Sequence, residues 1–174
     1  MKPKTTHHAS VEISRGLLRL ALGGTMIAHG VRHARSLEGT AGWFGSIGFR
    51  EPRLQAQLSS VVEVGAGTAL ICGAATPLAA SAVVGTMAVA AETVHRPNGY
   101  FITSEGWEYV GFISAAAVAL AAMGSGRYSL DRLLGVENRG SGLSRGLLAA
   151  GLGLGGAAIQ LKTFWTRPVA DASS

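Results

Sequence analysis

Charge is scarce in this sequence. Only 14% of its 174 residues are Asp, Glu, Lys or Arg, where a soluble domain carries about 25%, so too few are present to cover a globular surface in water. Cysteine is nearly absent. The single thiol, Cys72, excludes an internal disulfide, a C-x-x-C redox centre and a cysteine zinc site, and it reads as a small buried packing residue. A small-residue cleavage pattern is missing after the first apolar run. A retained signal anchor is therefore expected behind the polar, basic MKPKTTHHASVEIS, in place of a removed signal peptide.

What the sequence has instead is apolar length. Hydrophobic residues make up 48%, the mean hydropathy is +0.31, and several runs match the roughly 20 residues that a membrane helix needs. An all-α integral membrane protein follows, multi-pass and partnered by the lipid bilayer. The net charge of +5 lies between the apolar runs, where topology and anionic headgroups explain it. Nucleic acid is not an expected partner.

Four membrane helices are expected at about 14–30, 54–74, 79–95 and 107–123. Pro52 precedes the second, Pro77 lies in the turn before the third, and Pro97-Asn98-Gly99 stops it. A cytoplasmic tail, 1–13, precedes this four-helix unit of residues 14–131. A basic cytoplasmic linker, 132–141, follows it, then a fifth C-terminal helix, 142–165, and a tail, 166–174. The apolar centre of the fifth helix, LLAAGLGLGGAAIQL, is short for a span, and a helix lying on the membrane surface is the alternative. Arg145 and Lys162 can snorkel to the interfaces. GLGLGG spells G-x-G-x-x-G, but with no strand before it the dinucleotide reading lapses, and close helix packing through small residues explains it better. Between the first two helices, SLEGTAGWFGSIGFREP is too polar to span and reads as an interfacial or re-entrant cap, with Trp43 and Phe44 at headgroup level.

Cation counts choose the orientation only narrowly. With the N-terminus inside, Lys2, Lys4, Arg15, Arg19, Arg127, Arg132, Arg139 and Arg145 face the cytoplasm, eight against seven outside; if the fifth helix does not span, the balance is ten against five. The loop GRYSLDRLLGVENRG then lies inside. Its Ser129–Leu134 segment is expected to be a short amphipathic helix capped by Ser129, with Arg127 and Arg132 on lipid headgroups or a partner.

Ionisable residues inside spans cost about 2.5–3.5 kcal/mol each and face other helices or a polar cavity. Here each acid shares a helical face with small residues: Ser59, Ser60, Glu63, Ala66 and Gly67; Ser81, Gly85, Ala88, Glu92 and His95; Glu108, Gly111, Ala115, Ala119 and Ala122. Steps of three or four residues place each set on one face, and small residues allow close approach. His29, Glu92, His95 and Glu108 are expected to converge at the outer end, with Glu63 deeper and Arg19 toward the inner end. Three answers to the charge of Glu63 stand open: it carries a proton because desolvation disfavours the charged form, it pairs with Arg19, or it pairs with His29. Equally, these groups serve only to lock the helix register. Glu92-Thr93-Val94-His95 spells E-x-x-H, but a di-iron bundle needs two such motifs, so no metal site is assigned.

The same residues resemble the DoxX family of small bacterial membrane proteins over about Leu17 to Asp131. LRLALGGTMIAHG is similar to the family's first helix, AGWFGSIGFREP to its loop before the second, and VVEVGAGTALICG to its glutamate-bearing second helix. MAVAAETVHRPNGYF and EGWEY resemble the end of the third helix and the start of the fourth, and GSGRYSLD the closing glycine-arginine-aspartate signature. Arg32 and His33 stand where the family often has lysine, and 142–165 lies outside the usual four-span unit. The resemblance implies a four-helix membrane bundle in the bacterial plasma membrane, related to the membrane subunit of a quinone-reducing thiosulfate oxidoreductase, with some members linked to oxidative stress and sulfur metabolism.

The polar pocket is accordingly assigned to Arg19, His29, Glu63, Glu92, His95 and Glu108, with no catalytic residue named. The first function class is a membrane anchor or subunit of a redox or stress-related complex without catalysis of its own. The alternatives are a quinone-interacting oxidoreductase subunit, with quinone as its only candidate cofactor, and a small-molecule or proton permease acting as a homo-oligomer.

Overall fold

The computed structural model describes residues 4–137 and 139–168; the outermost residues of both expected tails, Lys2 among them, lie outside these. The described residues are overwhelmingly helical: α1 (Lys4–Arg35), α2 (Leu37–Ser46), α3 (Pro52–Cys72), α4 (Thr76–Ala90), α5 (Glu108–Met123), α6 (Leu130–Leu133) and α7 (Gly142–Phe164). A π-helical turn, Ala91–His95, prolongs α4. One antiparallel bridge joins Phe49 to Trp165.

Several boundaries differ from those read off the sequence, each for a local reason. The first helix continues past Gly30 to Arg35 because Gly30 is a packing residue there, with no stop signal. A Cβ on it would lie 2.8–2.9 Å from Val64 Cγ2, Glu63 Cβ and the Ser60 carbonyl. Pro77 falls in the first turn of α4, where its missing N–H costs nothing, so that helix starts at Thr76. The segment expected as a cap between the first two helices is itself a short helix, α2, packed on α3. α6 has its expected Ser129 cap, whose Oγ accepts from the Arg132 N–H at 3.2 Å.

α1 lies along α3, and α3 also touches α2 and α4. α4 packs on α5 and α7, and α5 returns to α7 and α1. Leu22, Met26, Leu70, Val83, Val84 and Leu120 fill the centre. Backbones meet closely where side chains vanish: a Cβ on Gly23 would come within 2.5 Å of the Gly67 carbonyl, and one on Gly153 within 2.6 Å of that of Ser81. Of the glycines in GLGLGG, Gly153 alone meets a neighbour in this way. The face of α7 buried against α4 and α5 is Gly146, Ala149, Gly153 and Ala157.

Two expectations about faces are corrected. α5 buries Val110, Ile113, Ala117, Leu120 and Ala121, while Ala115 and Ala119 point outward; the face turned to its neighbours lies round the helix from the expected stripe. Cys72 is exposed, because α3 ends beside it at Gly73, whose φ of 63° closes the helix.

Large apolar side chains line the outside. Leu17, Val61, Phe112, Leu147 and Ile159 are each more than 60% exposed, a density that water-facing surfaces avoid. Two helical stretches, 76–98 and 142–164, are long and apolar enough to cross a membrane, and α5 is apolar but shorter.

Candidate functional site

The two ends of the helix stack are built differently. At one end Arg19 is a helix terminator. It is 8% exposed, and its guanidinium donates to the carbonyls of Leu70 at 2.9 Å, Ile71 at 2.5 Å, Ser125 at 3.0 Å and Tyr128 at 2.6 Å. The Ile71 carbonyl is one of the orphans at the end of α3, and that of Leu70 also accepts from the Gly73 N–H. Beside it Asp131 caps the start of α4: Oδ1 accepts from the Ala75 N–H at 2.6 Å, and Oδ2 from the Thr76 N–H and hydroxyl at 3.1 and 2.9 Å. Anionic oxygens at a helix N-terminus are favoured by the exposed N–H groups and the dipole. The glycine-arginine-aspartate segment is thus a fastener for two helix ends. Arg127 N–H donates to Glu12 at 2.7 Å, while the Arg132 guanidinium is bonded to Glu137. The Glu137 carboxyl is held below its ordinary range by its own backbone N–H and then by Arg132.

At the opposite end lies a cavity of about 270 Å³. Its wall is apolar: Phe44, Ile47 and Phe49 from α2 and the following loop, Leu58 and Val62 from α3, Val89 and Ala90 from α4, and Phe164 from α7. The π turn brings Thr93 and Val94 into it. Such widened turns occur often at functional sites. Trp43 closes one side, edge-on to Phe44 at 5.3 Å.

Glu63 is the buried charge-bearing group of this cavity, 3% exposed. The Ser59 hydroxyl donates to its Oε1 at 2.7 Å. Oε2 lies 3.3 Å from His33 Nδ1, within ion-pair distance but outside hydrogen-bond geometry, which leaves that oxygen without a hydrogen-bond partner. Ser59 Oγ is also 3.4 Å from His33 Nδ1. Since the single hydroxyl proton of Ser59 goes to Glu63, a bond between Ser59 and His33 requires Nδ1 to be the donor. A second polar group sits on the same face of α3. Gln55 is 1% exposed, its Oε1 accepts from Gln160 Nε2 on α7 at 2.8 Å, and its own Nε2 has no partner.

The structure divides the six residues assigned from sequence to one polar pocket. Glu63 lines the cavity; Arg19 is at the other end of the stack, and its partners are carbonyls. His29 is exposed and meets only the edge of the His33 ring, 6.5 Å between centroids. Glu92 pairs with Arg96 at 2.6 Å and Arg167 at 3.0 Å. His95 Nδ1 lies 2.6 Å from the Glu105 carbonyl, and Glu108 accepts from the Ile102 N–H at 3.0 Å. Glu92 and Glu108 border two separate shallow depressions. Glu92 is paired with Arg96 and with Arg167 beyond α7, while His95 and Glu108 are bonded within the loop between α4 and α5, so they share an end without entering the cavity. Among the described residues no group of three His, Cys, Asp or Glu is placed to hold a metal ion.

Sequence reasoning missed His33, Gln55 and Gln160. His33 was lost because the first helix was ended at Gly30; one more turn puts it four residues after His29. Gln55, Ser59 and Glu63 recur every four residues, a legible polar stripe whose first member went unread. Gln160 carries no signal of its own, since only the docking of α7 brings it to Gln55.

No curated protein and no solved structure matches the chain significantly. Residues 15–96 match the DoxX family model, a segment that runs through α1, α2, α3, α4 and the π turn and stops before α5 and α7. Residues 15–96 of this chain are thus similar to the DoxX family, and two of its helices are long and apolar enough to cross a bilayer.

Proposed function

We propose that the chain is a multi-pass subunit of the bacterial plasma membrane which holds a quinone-class ring in the cavity beside Glu63, as an anchor or subunit of a redox or stress-related complex. α1, α3, α4 with its π turn, α5 and α7 are the spans in this reading, with the N-terminus inside and the cavity toward the outer face. The exposed leucines, valines and phenylalanines are then the lipid-facing surface, and the arginines at the Arg19 end lie at the cytoplasmic headgroups. Electrons come from a partner in the complex.

The observation that carries the reading is Oε2 of a buried carboxylate, which stands at ion-pair distance from His33 but accepts no hydrogen bond in an apolar chamber. A buried acceptor without a donor is costly, and a ligand hydroxyl satisfies it. Ligand pockets run from about 300 to 1,000 Å³ and combine apolar walls with a few convergent polar groups. At about 270 Å³ this cavity suits a single ring, with a long tail left to run out among the lipids. Ser59 and His33 hold the carboxylate in place, and a quinol hydroxyl would donate to it.

Titration of the purified protein in nanodiscs with decylubiquinone held in its reduced, quinol form, read by isothermal titration calorimetry, tests this. Glu63→Gln keeps the shape and is expected to preserve the fold while weakening binding about tenfold, the value of one hydrogen bond to a charged acceptor. Glu63→Leu should abolish binding and also lower stability by about 1–3 kcal/mol, because Ser59 loses its acceptor. Saturable binding that is the same in the parent and in both variants, or no binding to the parent, would defeat the proposal.

A further inference from the structure

The polar groups of the cavity lie at two levels. Glu63 and Gln55 are eight residues apart on one face of α3, about 12 Å along the axis at 1.5 Å per residue, and both line the same chamber. Each carries a buried polar atom with no partner: an acceptor on Glu63 and a donor on Gln55. Turning over both amides of the Gln55–Gln160 pair exchanges donor and acceptor, yet Gln55 again keeps one polar atom unused.

The partner of Gln55 comes from outside the segment that matches the family. Gln160 stands on α7, and the end of α7 is fixed to the loop after α2 by backbone and side chain alike. The Arg50 N–H donates to the Phe164 carbonyl at 2.7 Å, the Thr166 N–H to that of Gly48 at 3.0 Å, and the Trp165 indole N–H to that of Ile47 at 2.7 Å. These bonds hold Gln160 in place, and Gln160 in turn orients the Gln55 amide.

We infer that Gln55, oriented by Gln160, is a second ligand anchor opposite Glu63, so that the site selects a ring bearing oxygen functions at two ends over a ring bearing one. This rests on the reading of the cavity given above. Glu63 accepts from one ring hydroxyl, and the Gln55 amide donates to the oxygen of the other. Gln160 is a positioning residue, and α7 is the element that distinguishes this chain's site from that of a four-helix relative lacking it.

Two probes separate the claims: decylubiquinone held in its reduced form, with a ring hydroxyl at each end, and 4-decylphenol, with one. Gln55→Leu and Gln160→Leu are expected to weaken decylubiquinone binding about three- to tenfold, the worth of one neutral hydrogen bond, and to leave 4-decylphenol binding within about twofold of the parent. Gln160→Met, closer in length, replaces Gln160→Leu if that variant does not fold. If the glutamine variants bind decylubiquinone as the parent does while Glu63→Gln still weakens it, the amide pair only fastens α7 to α3. The inference then falls and the cavity reading stands. Equal losses for both probes also overturn it, since that is the mark of a packing defect. A parent that binds neither probe removes the cavity reading and the inference together.

Discussion

Replacing Arg19 by Leu should damage the fold at one end of the helix stack without touching the cavity at the other. The substitution removes four hydrogen bonds, to the carbonyls of Leu70, Ile71, Ser125 and Tyr128. Bonds to a charged group contribute about 1.5–3 kcal/mol each, a ceiling of roughly 6–12 kcal/mol for the four. These carbonyls sit at an end of the stack, where water reaches part of what is exposed, so the expected loss is nearer 3–5 kcal/mol, as for other broken buried charge contacts. Thermal unfolding in nanodiscs, followed by circular dichroism, measures it. Hydrogen exchange adds location: the amides of Gly73 and Ala74, bonded to Leu70 and Ala69, should lose protection first. Arg19→Lys keeps the charge but not the planar fork, so it should fall between parent and Leu variant while binding decylubiquinone as the parent does. A Leu variant within about 0.5 kcal/mol of the parent, the range of an ordinary surface change, would refute the view of Arg19 as a helix terminator. A Lys variant that lost the ligand would place Arg19 in the cavity's chemistry after all.

Gly30→Val drives a side chain into the Ser60 carbonyl and Glu63 Cβ; it should cost about 1–3 kcal/mol by overpacking and weaken decylubiquinone binding by parting His33 from Glu63. Gly24→Ala, with nothing within 4 Å of the added carbon, is its silent control. For topology, a cysteine placed at Ser174 in a Cys72-free variant should label from the outer face only; labelling only from the cytoplasmic face would rule out five spans with the N-terminus inside.

Helical periodicity is a local property, and what depends on it was legible in the sequence. The apolar runs gave the all-helical class, and the motifs read over Leu17 to Asp131 pointed to the DoxX family, whose model matches residues 15–96. The stripe of Ser60, Glu63, Ala66 and Gly67 turned the glutamate inward, because a three-to-four-residue repeat defines a face without reference to any neighbour. The same logic failed on α5, where the expected Ala115 and Ala119 point outward. A stripe tells which residues share a face; which face is buried depends on the side chains opposite. Partners were decided by tertiary structure alone. Arg19 and Glu63 sit on facing helices, yet the guanidinium found the carbonyls at the end of α3 and left the carboxylate to Ser59 and His33. Glu92, His95 and Glu108 reached one end and took partners there outside the cavity. Gln55 met Gln160 across 105 positions of sequence. The axial offset between packed helices, set by contacts such as Gly30 on Ser60 and Gly153 on Ser81, decides which side chains share a level, and no local pattern encodes it.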